Sequence, residues 1–75
     1  MDNIQYQKKF GMAIRDYRNK LGISQEGLAE ISGLHRTYIS EVERGARNIS
    51  LINIYKISKA LNITASQLFQ KIEEE

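Results

Sequence analysis

The sequence has no cysteine, no proline and no tryptophan among its 75 residues. Without cysteine, the chain can form neither a disulfide framework nor a thiolate metal site, which are the usual supports of small secreted domains. Its uninterrupted apolar runs are only two or three residues long, too short for a membrane span or for the core of a signal peptide. We therefore expect a soluble protein of the bacterial cytoplasm.

Residues suited to catalysis are also scarce. His35 is the only histidine, and no glycine-rich loop follows a predicted strand. Neither a metal-ligand set nor a nucleophile with its base can be assembled convincingly from the other side chains. We therefore predict that the chain is not an enzyme, with no catalytic residue, no metal site and no cofactor. His35 is expected to be an exposed residue at the start of a helix.

Positive charge is in slight excess and unevenly placed. The formal net charge is +2. In the segment from Lys8 to Lys20, five basic residues stand against one acidic residue, Asp16. This concentration fits a surface that meets a polyanion, although a solvated helix face would carry the same charges.

The spacing of apolar residues predicts five helices and no sheet. The first helix runs from about Gln5 to Leu21 and ends at Gly22, a residue suited to the left-handed conformation after a helix. Its apolar positions recur at helical spacing: Tyr6, Phe10, Ala13, Ile14, Tyr17 and Leu21.

Two short helices follow. Ser24 can cap the second helix, which turns Leu28, Ala29 and Ile31 inward and ends at Ser32 and Gly33. The stretch HRTYISEVERG, residues 35–45, supplies the third helix and its stop at Gly45. Two short helices around a three-residue turn that contains a glycine have the spacing of a helix-turn-helix.

The last two helices carry their own start signals. Ser50 caps the fourth helix, whose inward residues are expected to be Leu51, Ile54, Ser58 and Leu61. Thr64 and Gln67 form a capping box for the fifth, in which Ala65, Leu68, Phe69 and Ile72 share one face. The prediction is a compact all-α fold of five helices, a single domain over residues 1–75. The helix-turn-helix covers about residues 24–44, and the last two helices about 50–73.

The third helix has a thin apolar line, Ile39 and Val42, and polar side chains over most of its surface. With Ile39 and Val42 in the core, helical geometry sends Thr37, Ser40, Glu41 and Arg44 to the opposite side, with Arg36 and Tyr38 on the flanks. Such a helix fits the major groove of B-DNA, which is about 12 Å wide. A polar helix face that is merely solvated would look the same.

The chemistry of these side chains suits base edges. Arg36 can reach guanine O6 and N7, Glu41 can accept from cytosine N4, and the Thr37 methyl group can meet a thymine methyl. Ser40 and Tyr38 can add hydrogen bonds to bases or phosphates. The predicted base-reading residues are therefore Arg36, Thr37, Tyr38, Ser40 and Glu41.

Four short segments carry a family resemblance: SQEGLA at 24–29, SGL at 32–34, RTYIS at 36–40 and VERG at 42–45. With LNITASQLF at 61–69, they resemble the phage-repressor (Cro/Xre) type helix-turn-helix family. Within that family, RTYIS followed by ERGARN at 43–48 is similar to the controller proteins of restriction-modification systems. The resemblance implies a lambda-repressor-like fold and a homodimeric, sequence-specific DNA-binding transcriptional regulator. It implies regulation of the protein's own gene and of the endonuclease gene.

The resemblance also implies roles for individual residues. It places Arg36, Thr37 and Glu41 where base-reading residues lie, and it pairs Glu43 with Arg18 in a structural ion pair. It also places Gln25, Arg47 and Asn48 at phosphates. Arg44, on the outer face of the third helix, is expected to bind a phosphate as well. Gly27 stands where many relatives carry an acidic residue that completes a capping box, so the second helix should begin less stably.

One recognition helix reads only a few base pairs, so a palindromic operator and a homodimer are expected, with the two helices about 34 Å apart. Ile49, Ile52, Tyr55 and Phe69 form the candidate dimer interface, although scattered exposed apolar residues are ordinary. RNA polymerase is a possible further partner. An antitoxin, a protein-interaction adaptor or a phage-type repressor of the same fold are the alternatives. Steep loss of affinity with salt would separate DNA binding from an adaptor.

Overall fold

Five helices joined by short loops make up most of residues 2–74, the part of the chain that the computed structural model describes. No strand occurs between residues 2 and 74, which confirms the all-α prediction. Met1 and Glu75, which the predicted domain also includes, lie outside the described residues. The helices are α1 (Asn3–Leu21), α2 (Gln25–Ser32), α3 (Arg36–Glu43), α4 (Leu51–Ala60) and α5 (Ala65–Glu73).

Hydroxyl side chains start three of the helices, as the sequence predicts. Ser24 Oγ, Ser50 Oγ and Thr64 Oγ1 each accept a hydrogen bond from the backbone N–H three residues later, at 2.9, 3.2 and 3.0 Å. Gln67 completes the predicted capping box of α5. Such caps satisfy N–H groups that have no partner within the helix. The predicted starts of α2, α4 and α5 are thus confirmed.

The start of α1 differs from the prediction by two residues. Asp2 Oδ1 accepts from the Gln5 backbone N–H at 2.8 Å, and the Gln5 side chain accepts from the Asp2 N–H at 3.4 Å. Gln5 is therefore the third residue of the helix rather than its first. At the other end, Gly22 adopts the left-handed conformation with φ 71°, which confirms the predicted stop.

The core lies where the five helices meet, and every helix contributes to it. Ile39 and Val42 are fully buried, which confirms the predicted inward face of α3. The helix α3 packs between α1 and α2, while α4 contacts α2 and α5, and α5 returns to α1. The buried apolar residues are Phe10, Ala13, Ile14, Leu28, Ala29, Ile39, Val42, Ile57, Leu61 and Leu68.

Two residues that were predicted to lie in the core are exposed, so these predictions are wrong. Ile31 is 60% exposed and Leu51 is 68% exposed, whereas Ser32 and Ile57 are buried. On α2, Leu28, Ala29 and Ser32 define the inward face, and Ile31 lies to one side of it. On α4, the buried Ile57 turns the centre of the inward face away from Leu51.

The helical pattern of α1 also overestimates burial at its ends. Tyr6 is 55% exposed and Leu21 is 49% exposed, while Phe10, Ala13 and Ile14 between them are buried. A 19-residue helix is longer than its packing partners, the 8-residue α3 and the 9-residue α5. Its terminal turns therefore extend past the core.

A close approach of α1 and α3 fixes the position of α3. Gly11 is buried in the middle of α1. A Cβ atom at this position would press on the Val42 carbonyl oxygen and lie 2.6 Å from the Glu43 carbonyl oxygen. Only glycine allows the two helices to come this close at the end of α3.

Candidate nucleic-acid interface

The turn between α2 and α3 consists of residues 33–35. Gly33 has φ 76°, and its N–H and that of Leu34 both donate to the Ala29 carbonyl, which ends α2. His35 then precedes α3 in an extended conformation, exposed and without a side-chain cap. Because only glycine adopts a positive φ at little cost, Gly33 lets the chain turn sharply enough to pack α3 against α2.

The outward face of α3 is polar. Arg36, Thr37 and Arg44 are exposed, and Ser40 and Glu41 are half-buried. These five side chains surround one shallow depression of the surface. The structure thus brings together four of the five predicted base-reading residues and one predicted phosphate-binding residue.

Tyr38 lies at the flank of this face and is held on two sides. Its hydroxyl oxygen accepts a hydrogen bond from Asn53 Nδ2 of α4 at 3.1 Å. The guanidinium carbon of Arg47 lies 5.1 Å from the centre of the Tyr38 ring, within the range of a cation–π contact. Arg47 Nε also donates to Glu41 Oε1 at 2.7 Å. Four side chains, Asn53, Tyr38, Arg47 and Glu41, therefore form one connected row.

Behind the outward face of α3, the carboxylate of Glu43 is completely buried at the end of the helix. Arg18 donates to it twice, Nε to Oε2 at 2.6 Å and Nη2 to Oε1 at 3.0 Å. Arg18 Nη1 also donates to the Ile23 carbonyl at 2.8 Å. Gln25 Nε2 completes the cluster with a bond to Glu43 Oε1 at 3.1 Å. The carboxylate therefore ties α1 and α2 to the end of α3.

The two charges of this cluster stabilise each other. The hydrogen bond with Glu43 raises the pKa of Arg18, burial acts in the opposite direction, and the attraction of the Glu43 charge adds to the rise. Arg18 is therefore charged throughout the neutral range. A second arginine, Arg15, approaches Glu43 at 3.6 Å but is 52% exposed. The structural ion pair is thus between Arg18 and Glu43, with Arg15 at its edge.

The predicted phosphate-binding residues lie around α3. Gln25 uses one N–H for Glu43, and a side-chain amide nitrogen carries two such donors. Arg44, Arg47 and Asn48 are exposed at and after the end of α3. The Arg47 side chain is directed toward Glu41 on the outward face of α3.

The candidate dimer-interface residues lie just before α4, on α4 and on α5. Ile52 is 67% exposed, and Tyr55 and Phe69 are exposed as well, while Ile49 is half-buried. Phe69 packs on Phe10 with ring centres 6.1 Å apart. Ile49 and Phe69 also line a cavity of about 310 Å³ whose walls are mostly apolar. Two of the four predicted residues therefore line this cavity, while Ile52 and Tyr55 are exposed on α4.

Sequence reasoning missed Leu51 and Asn53 on these surfaces, and it missed the buried Ile57. Leu51 belongs to the exposed apolar surface, and the full burial of Ile57 marks the true inward face of α4. Asn53 bonds Tyr38, which lies 15 residues earlier in the chain. A polar residue within the apolar segment LINIY was a signal for Asn53, but its partner depends on how α3 and α4 pack.

Residues 2–74 hold no cluster of three or more histidine or acidic side chains that could bind a metal. No helix in this part of the chain is both long enough and apolar enough to cross a membrane.

The sequence matches the helix-turn-helix family over residues 14–68, most of its length. The chain belongs to this family. It is 55% identical to control protein C.BamHI of Bacillus amyloliquefaciens over 60 residues, which cover 79% of this chain and 74% of the relative. It is 52% identical to control protein C.SmaI of Serratia marcescens over 58 residues, which cover 77% and 69%.

Solved structures agree with these matches. The fold superimposes on the restriction-modification controller protein C.AhdI of Aeromonas hydrophila with a TM-score of 0.82 at 51% identity. That match covers 84% of this chain and 96% of C.AhdI. The controller protein C.Esp1396I superimposes with a TM-score of 0.86 at 33% identity, over 92% and 88% of the two chains. The resemblance to restriction-modification controller proteins is confirmed.

Proposed function

We propose that this helix-turn-helix protein is the homodimeric controller of a restriction-modification system and that it binds a palindromic operator. Residues 1–75 would act as a single DNA-binding domain. The proteins that it matches are control proteins and transcriptional regulators, and the chain is a DNA-binding transcriptional regulator rather than an enzyme. The observation that carries the proposal is the polar outer face of α3, presented by a helix whose inner face is fully buried.

The outer face of α3 would enter the major groove. Arg36 would donate to guanine O6 and N7, Glu41 would accept from cytosine N4, and Thr37 would contact a thymine methyl. Ser40 and Tyr38 would add hydrogen bonds. The Glu41–Arg47 ion pair is partly exposed, with Arg47 52% and Glu41 29% accessible. Exposed pairs contribute little free energy, so this one can open when DNA supplies new partners.

Contacts to phosphates would set the position of α3 on the duplex. Gln25 would donate its second amide N–H from the start of α2, while Arg44, Arg47 and Asn48 would bind phosphates beyond the end of α3. Each neutralised phosphate releases a condensed counterion, so affinity for DNA should fall steeply as salt rises.

The exposed apolar surface of α4 and α5 supports the homodimer. Ile49, Ile52, Tyr55 and Phe69 would meet the same residues of a second copy across a twofold axis, with Leu51 extending the contact. A twofold axis places two recognition helices about 34 Å apart, one turn of the duplex, and matches a palindromic site. Dimerisation also adds apolar burial that a chain of this length lacks.

A regulator of transcription acts where RNA polymerase binds. We therefore include RNA polymerase among the proposed partners and the nucleoid within the cytoplasm as the proposed location. The autoregulated gene and the endonuclease gene are the proposed targets, in line with the similarity to controller proteins.

Selection of bound duplexes from a random DNA pool tests the proposal. The purified protein should enrich a palindromic sequence, and titration should show two subunits per site and a steep loss of affinity between about 50 and 200 mM salt. Enrichment of a single, non-palindromic half-site would contradict the dimeric operator. No enrichment at all would favour a protein-interaction adaptor of the same fold.

A further inference from the structure

A hydrogen bond joins the reading face of α3 to the first turn of α4. We propose that Asn53 is a positioning residue that determines which base edges Tyr38 reads. This inference rests on the proposed function, because it concerns the same DNA-binding face. The contact that carries it is the bond from Asn53 Nδ2 to Tyr38 Oη at 3.1 Å, between two half-buried side chains.

Asn53 is itself held firmly. It is the third residue of α4, and its backbone N–H donates to the capping Ser50 Oγ at 3.2 Å. On the other side, the Arg47 guanidinium lies over the Tyr38 ring at 5.1 Å. Tyr38 is therefore fixed at its hydroxyl by α4 and at its ring by Arg47. A side chain that is already ordered loses less entropy when it binds.

The direction of the hydrogen bond has a chemical consequence. A tyrosine hydroxyl carries one donor proton and two acceptor lone pairs. Because Asn53 donates to the oxygen, the Tyr38 proton must go to some other acceptor. In the major groove, the acceptors are guanine O6 and N7, adenine N7 and thymine O4, whereas cytosine offers a donor. The arrangement therefore keeps the Tyr38 proton available for an acceptor on a purine or thymine and leaves the oxygen one lone pair rather than two.

Two substitutions separate positioning from a structural role. Asn53→Leu keeps the branching at Cγ and the number of heavy atoms and removes the hydrogen bond. Asn53→Asp keeps the shape, but an ionised carboxylate only accepts, so the Tyr38 proton would turn inward. The first turn of α4 has no acidic residue, and an acidic side chain there is favourable for helix stability. Asn53→Asp should therefore unfold at the same temperature as the unaltered protein or a higher one.

The test compares base preferences selected from random DNA by the unaltered protein, Asn53→Leu, Asn53→Asp and Tyr38→Phe. We expect both Asn53 variants to lose about fivefold discrimination at one position of each half-site, the effect of one hydrogen bond. Preferences are compared as ratios between sequences, because the added charge in Asn53→Asp weakens binding to all DNA. In the Tyr38→Phe background, Asn53→Leu should change no preference further.

Three results would overturn the inference. Unchanged preferences in folded Asn53→Leu and Asn53→Asp would show that Asn53 does not act through Tyr38. An equal loss of affinity for all sequences from Asn53→Leu, also in the Tyr38→Phe background, would show a direct phosphate contact. If the unaltered protein itself enriches no sequence, the proposed function fails and the inference fails with it. The first two results leave the proposed function intact.

Discussion

The outer faces of α3 and α4 are neighbours in the sequence and opposite in character. The outer face of α3 carries Arg36, Thr37, Glu41 and other polar groups around a shallow depression. The outer face of α4 exposes Leu51, Ile52 and Tyr55. A charged face suits a polyanion and an apolar face suits a second protein surface. One small domain thus carries its two proposed contact surfaces on adjacent helices.

The two faces also differ in how they are supported. Aliphatic side chains anchor α4, with Ile57 and Leu61 fully buried. The short α3 depends in addition on polar contacts, because the Glu43 carboxylate at its end takes hydrogen bonds from Arg18 of α1 and Gln25 of α2. The reading face should therefore be more sensitive to electrostatic substitutions than the apolar face.

The largest expected effect is a loss of stability when the positive charge of Arg18 is removed from the Glu43 cluster at the end of α3. Arg18→Met leaves the Glu43 carboxylate without its main partner in a site with no solvent exposure. Loss of one partner of a buried ion pair costs about 3–5 kcal/mol, a large share of the free energy of unfolding of a small domain. Urea unfolding followed by circular dichroism measures the change.

Arg15→Met is the matched control for this prediction. Arg15 approaches the same carboxylate at 3.6 Å but is 52% exposed, so its removal should cost less than about 1 kcal/mol. Similar losses for the two variants would contradict the assignment of Arg18 as the structural partner.

The starts of α2, α4 and α5 were predictable from sequence because a cap depends on residues three positions apart. Ser24, Ser50, Thr64 and Gln67 needed only local spacing. The residues on the outward face of α3 were equally predictable, because the buried Ile39 and Val42 fix the rotation of the helix. The buried residues of α2 and α4 were harder to predict. Short helices allow several inward faces, and packing against the neighbouring helices decides among them.

Contacts across the fold account for what the sequence could not provide. The bond between Tyr38 and Asn53 and the ion pair between Glu41 and Arg47 depend on the path of residues 44–50. The Arg18 and Glu43 pair was expected only through the family resemblance, because 25 residues separate its partners. Spacing within one helix carries no information about such pairs.

A substitution on the apolar face of α4 should disrupt the dimer rather than the stability of the fold. Ile52→Glu places a charge in the candidate dimer interface without touching the core, since Ile52 is 67% exposed. We expect a folded monomer with operator affinity reduced about 100-fold or more, because the two half-sites no longer act together. Analytical ultracentrifugation and DNA titration measure the two effects.

Ile31→Glu is the control for the apolar face. Ile31 is similarly exposed, at 60%, but belongs to α2 and lies outside the candidate interface. It should leave the dimer intact. If Ile31→Glu also produced monomers, or Ile52→Glu remained dimeric, the proposed interface on α4 would be wrong.

Substitutions of base-reading and phosphate-binding residues should have different effects on the sequence preference of the protein. Arg36→Ala should weaken operator binding by about 1–3 kcal/mol and relax the preference at one position of each half-site. Gln25→Ala should weaken binding to all sequences alike, because a phosphate contact carries no sequence information. Titration of the selected site and of single-base variants distinguishes the two. Equal affinity of Arg36→Ala for every site tested, at the level of the unaltered protein, would refute the base-reading role.

The smallest expected effect is a gain in the free energy of unfolding from a substitution in α2, away from both proposed contact surfaces. Gly27 lies inside α2, and an added Cβ would meet Ser24 Oγ at 3.4 Å, an ordinary contact. Gly27→Ala should therefore raise the free energy of unfolding by about 0.5–1 kcal/mol, because alanine loses less backbone entropy in a helix. Neither the selected sequence nor the dimer should change.

Gly11→Ala provides the opposite result from the same chemical change. Its Cβ would press on the backbone carbonyls of Val42 and Glu43, where α1 approaches α3. Overpacking of this kind costs about 1–3 kcal/mol. Thermal unfolding of the two variants should therefore shift in opposite directions from the unaltered protein. A stabilising Gly11→Ala would mean that α1 can move away from α3, and the recognition helix would then be held by the Glu43 cluster and the apolar core alone.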